Sequence, residues 1–136
     1  MSVYRPEPAI SLGHLLMSVP FVLGGWQALR NPGPLPKSAA ALGLPQPQLL
    51  TGVVAAAMLT GGAAVGSGVA PVVGGALLAA SLAGTTIVVH GFWRESDPTA
   101  KAAHRRAFVA NCGLLGAAVV ATVQTHQLQR SRCNDA

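Results

Sequence analysis

The stretch that decides the fold runs from Ser38 to Trp93 and reads SAAALGLPQPQLLTGVVAAAMLTGGAAVGSGVAPVVGGALLAASLAGTTIVVHGFW. Its 56 residues include no Asp, Glu, Lys or Arg. Outward from it, Pro8 to Leu29 and Ala107 to Gln129 lack the same four types. A small soluble fold exposes most of its helix faces to water and must place charge along them. Runs this long have no place on such a surface. The whole chain of 136 residues is 51% apolar and 10% charged, against about 25% charged for an ordinary soluble domain. It is one domain's length. Disorder, a disulfide framework and a continuous basic face for nucleic acid are excluded; an integral membrane protein is left.

The charge balance fits that class. Nine basic and four acidic residues give a net charge of +5, and span ends collect Lys and Arg without any nucleic acid. No interleaving of basic and aromatic residues suggests a nucleic-acid partner. Membrane lipids are the expected surroundings.

A spanning helix needs about 20 apolar residues. Four stretches qualify, at 9–29, 49–65, 69–89 and 107–123, joined by loops at 30–48 and 90–106 and a Gly66-Ser67-Gly68 turn. The expected fold is all-α, an integral membrane four-helix bundle of antiparallel up-down spans. The first span reads as retained rather than as a cleaved leader, because Glu7 precedes it and no small-x-small site follows. Five prolines mark 30–48 as loop, with one turn of helix over Lys37–Leu42. Asp97-Pro98 reads as an N-cap and first helical position, so helix can begin at Pro98 and continue into the fourth span.

An even span count puts both termini on one side. That side carries Arg5, Arg130 and Arg132, whereas the long-loop side carries Arg30, Lys37, Arg94, Lys101, Arg105 and Arg106. The excess of Lys and Arg marks the cytoplasmic face, so the termini are expected outside. Arg94, Lys101, Arg105 and Arg106 are assigned to lipid headgroups, Lys101 and Arg105 on a helix face shared with His104 and Phe108.

Without a hydrophobic drive between helices in lipid, close packing of small residues must hold the spans together. Ridges at four-residue spacing offer it: Ala56, Thr60, Ala64 and Gly68; Ala76, Ala80 and Gly84; Gly113, Ala117 and Ala121. Gly62 and Gly66 add a G-x-x-x-G. The ridges are expected to face into the bundle, with an oligomer seam as the alternative. Leucine at Gly84 or Gly113 should then disrupt it more than alanine at Leu77 or Leu114.

No carboxylate falls within a span, which argues against a pump or coupled transporter. The histidines are His14, His90, His104 and His126. No two of them match in depth as haem ligands, and His90 with His104, which could meet, lack a third metal ligand. No metal site is assigned. Cys112 and Cys133 are too far apart along a helix for a disulfide, and there is no C-x-x-C. Asn111 is the one strong hydrogen-bonding amide inside a span, near the depth of His90. It reads as a tie between the third and fourth helices or as a ligand contact. His90, Phe92, Trp93 and Asn111 form the candidate site. His90 and Asn111 are expected to join directly or through water, with Trp93 covering them.

Thr85-Thr86, His90-Gly91-Phe92-Trp93, Asp97-Pro98, Phe108, Asn111, Gly113 and Gly116 together resemble the DoxX family of small four-span membrane proteins. Gly24-Gly25 followed by Leu29-Arg30-Asn31-Pro32-Gly33 is similar to that family's first-helix exit. Ala110 stands where the family usually has lysine, and Thr51 where it often has asparagine. The resemblance implies a bacterial inner-membrane bundle. It also implies a link to redox or oxidative-stress assemblies, since the family name comes from a subunit of a thiosulfate:quinone oxidoreductase. The leading expectation is a non-catalytic subunit or scaffold of such an assembly, partnered by other membrane or redox proteins and without a cofactor. Alternatives are a quinone- or thiol-linked oxidoreductase with His90, Trp93 and Asn111 lining its site, and a small-molecule or lipid carrier.

Overall fold

The computed structural model describes residues 8–134, with side chains described through Ser131. Arg5 and Glu7, and the side chains of Arg132 and Cys133, lie outside the described residues. The elements are α1 (Pro8–Arg30), α2 (Leu35–Ala41), α3 (Pro47–Ser67), α4 (Pro71–Val89), a 3₁₀ turn (Phe92–Arg94) and α5 (Pro98–Asn134). Each of the four long helices opens on a proline, where the fixed φ suits a helix and the missing N–H has no partner to lose. Gly68 ends α3 at φ 70°, a left-handed cap whose N–H returns to the Val65 carbonyl. That stop lets α4 double back after only Gly68–Ala70.

All four long helices are long and apolar enough to cross a membrane. They form an all-α bundle in which α3 packs on α1 and α4, and α4 packs on α3 and α5. Leu12, Leu16, Leu23, Val53, Val73 and Val109 point outward, as lipid-facing side chains do. The molecule is therefore a multi-pass membrane protein. Its core is small: Phe21, Val65, Leu78 and Leu82, with Met17, Met58, Leu114 and Leu115 packed around them.

Helix begins at Pro98 as Asp97-Pro98 predicts, and the Ala100 N–H donates to Asp97 Oδ2 at 2.7 Å. Two features depart from the sequence reading. The proline-rich loop carries a two-turn helix, α2, over Leu35–Ala41 rather than one turn, anchored by a fully buried Ala39. The helix α5 does not stop near Val123 but reaches Asn134. Gln124 to Gln127 are polar but none breaks a helix. At 1.5 Å per residue α5 is about 55 Å long, well beyond a hydrocarbon core of about 30 Å.

Most of each small-residue ridge also faces the other way. Ala56, Thr60, Ala76, Ala80, Gly84, Gly113 and Ala117 are exposed. Among the described residues, a Cβ built on Gly84 or Gly113 meets nothing within 4 Å. The close approaches involve other positions, with Ala64 the one ridge member among them, against Gly74. A Cβ on Gly61 would sit 2.9 Å from the Gly74 carbonyl oxygen, and one on Gly74 would sit 2.8 Å from that of Gly61. Gly62 and Gly66 do serve packing, against Val22 and Ser18 of α1.

Candidate functional site

Two rungs join α4 to α5 at the long-loop end. Thr86 and His90 are one turn apart on α4 and its cap, and His104 and Asn111 are two turns apart on α5, so each pair shares a face. The helices run antiparallel. Asn111 Nδ2 donates to Thr86 Oγ1 at 3.0 Å, and His90 Nδ1 lies 3.3 Å from His104 Nδ1. One of those two nitrogens must carry the hydrogen and the other be bare. His90 and Asn111 are thus not bonded to each other among the described residues; each has its own partner on the facing helix.

The aromatic residues stand apart from these rungs. Phe92, Trp93 and Phe108 form a mutual edge-to-face trio with centroids 5.3 to 5.7 Å apart. Trp93 does not cover His90 and Asn111 as expected; it packs on the trio and stays half exposed. Arg94, assigned from sequence to lipid headgroups, binds within the chain. Its Nη2 donates to the Ile87 and Val88 carbonyls at 2.6 and 2.8 Å, closing the C-terminal end of α4 with a cation where the helix dipole favours one. Lys101, Arg105 and Arg106 are exposed on α5. His104 and Phe108, read from sequence as part of the same basic strip, turn instead toward the α4 corner.

His90 and Asn111 share a cleft of about 530 Å³ lying among α1, α3, α4 and α5. Its polar lining is Gln27, Thr51, Thr85, His90 and Asn111; its apolar lining includes Phe21, Met58, Leu82 and Leu114. A separate cavity of about 370 Å³ lies on the loop side, with Ser38, Arg94, Glu95 and His104 in its wall. His90 lines the larger cleft and its contact partner His104 the loop-side cavity. Neither Phe92 nor Trp93 lines the larger cleft. The sequence reading missed Thr86, because a threonine in a span more often bonds its own helix, as Thr51, Thr85 and Thr125 do here.

The other end of the bundle holds the buried His14, whose Nε2 is 3.5 Å from Thr125 Oγ1. Thr125 lies past the expected end of the fourth span, so no sequence signal placed it there. Among the described residues no group of three His, Cys, Asp or Glu side chains could hold a metal.

A family model described as DoxX matches residues 9–91, more than half of the chain. The matched segment covers α1 to α4 and ends just past His90, before the aromatic trio and α5. No curated protein and no solved structure matches the chain.

Proposed function

The chain belongs to the DoxX family, and from that membership we propose that it serves as a non-catalytic membrane subunit of a redox-linked assembly. The observation that carries the reading is the open flank of α5. In its most apolar 18-residue window only 6% is buried, against 22%, 28% and 33% in α1, α3 and the α4 segment. Val109, Gly113, Gly116, Val120 and Val123 lie uncovered along it. Apolar side chains alone would suit lipid, but glycines leave room for a second helix backbone to approach. The location we assign is the bacterial cytoplasmic membrane. The basic long loops would lie inside and the termini outside, from the excess of Lys and Arg on the long-loop side.

Gentle detergent extraction from native membranes tests the reading. The parent chain should migrate with a second membrane protein in fixed ratio. Gly113→Leu with Gly116→Leu should release that protein without lowering the melting temperature. A parent chain that migrates at its own mass overturns it.

A further inference from the structure

The cleft shared by His90 and Asn111 sets a few polar side chains in an otherwise apolar wall, with Pro34 and Leu35 at the long-loop end and Phe21 and Met58 deeper in. Among the described residues no Asp, Glu, Lys or Arg lines it. Its volume of about 530 Å³ falls within the range of about 300–1,000 Å³ common for ligand sites. The lining also has hydrogen-bonding capacity to spare. Asn111 spends Nδ2 on Thr86 and keeps Oδ1. His90 spends Nδ1 on His104 and keeps Nε2. Thr51 and Thr85 donate to the Pro47 and Ser81 carbonyls and keep their oxygen lone pairs. Polar capacity beside hydrocarbon is costly when unmet.

We propose that this cleft binds an uncharged, lipid-soluble molecule whose head carries hydroxyl or carbonyl oxygens: His90 Nε2 anchors either kind, and Asn111 Oδ1 accepts from a hydroxyl. The histidine contact suits both kinds of head. When His90 Nδ1 donates to His104, Nε2 is bare and accepts from a hydroxyl. When His104 donates, Nε2 carries the hydrogen and donates to a carbonyl. The apolar body of the ligand lies along Phe21, Met58, Leu82 and Leu114. Such a head occurs both in glycerolipids lacking a phosphate and in quinones. The proposal is independent of the subunit reading, which concerns the opposite face of α5.

The test is photolabelling of the purified full chain in detergent with a diazirine-bearing diacylglycerol, using a diazirine-bearing fatty acid, ionised at alkaline pH, as the charged control. The neutral label should attach within residues 82–90 and 111–114, several-fold above the control. Thr85→Leu fills the cleft and removes only a bond within α4. It should abolish this labelling while the melting temperature holds. His90→Gln should reduce the labelling about fivefold, the loss expected for one hydrogen bond. Displacement by dioctanoylglycerol alone identifies a lipid ligand; displacement by menadione alone identifies a quinone; displacement by both supports the shared chemistry. Equal labelling by neutral and charged molecules overturns the proposal. So does labelling unchanged in Thr85→Leu, adducts confined to outward residues such as Leu12 and Val53, or displacement by neither competitor. Should His90→Gln fail to fold, Thr85→Leu and the competition on the parent chain still decide.

Discussion

Gly61 on α3 and Gly74 on α4 meet backbone to backbone, whereas Gly84 on α4 and Gly113 on α5 face open space. All four sit in uncharged helical stretches. The difference is which side of the helix each occupies, and composition does not report it. In a soluble helix the charged face shows where water is and so where the core is. In α3 and α4 there is no charged face, so a small-residue ridge on either side reads the same. The protein uses one side of α4 for close contact and leaves the other open.

The comparison is broken most directly at the tight seam. Gly74→Leu places a side chain where even a Cβ would be 2.8 Å from the Gly61 carbonyl oxygen and 2.9 Å from the Ala64 side chain. Neither atom is the far end of a flexible chain, so α3 and α4 must separate. We expect a loss of about 3 kcal/mol, the upper end of ordinary overpacking. Thermal unfolding in detergent measures it; a melting temperature equal to the parent's would show that the seam is not close-packed.

A milder change sharpens the picture at the α4–α5 rungs. Asn111→Leu and Thr86→Val each remove one side of the 3.0 Å hydrogen bond. Bonds between membrane helices average about 0.6 kcal/mol in double-mutant cycles. A coupling of that size is expected between the two changes. Additive effects would mean that the bond contributes nothing to holding the helices together.

Much of the architecture was legible because it is written in residues with strong local rules. The charge-free runs marked the spans, Asp97-Pro98 marked a helix start, and Gly66-Ser67-Gly68 marked the sharp turn. The far end of α5 was not legible, because Gln124 to Gln127 change polarity without changing helix geometry. At the site, His90 and Asn111 stood out as polar groups at one depth. His104 was legible only as a residue that His90 could meet, on a segment that looks like a basic lipid-facing strip, and they do meet. Thr86 was not legible as a partner, because it is one of two adjacent threonines with nothing local to say which faces α5. Only the antiparallel register, which brings His90 to His104 and Thr86 to Asn111, decides both.

The smallest expected effect is at the open ridge. Among the described residues, a Cβ on Gly84 or Gly113 meets no atom within 4 Å, so a larger side chain there displaces solvent or lipid rather than a neighbouring helix. Leucine also has the better helix propensity, an advantage of up to about 1 kcal/mol over glycine at an exposed helical position. These two considerations have the same sign. Gly84→Leu and Gly113→Leu, each alone, are therefore expected to leave the melting temperature of the isolated chain unchanged or slightly raised. Leu114→Ala should lower it, because Leu114 packs on the Phe21–Leu78–Leu82 core and its removal leaves a cavity. That ordering is the reverse of the one the ridge pattern alone suggests. If Gly113→Leu proved more damaging than Leu114→Ala in the isolated chain, the ridge would have to face a helix within the bundle, and the distinction between a closed seam and an open one would fail.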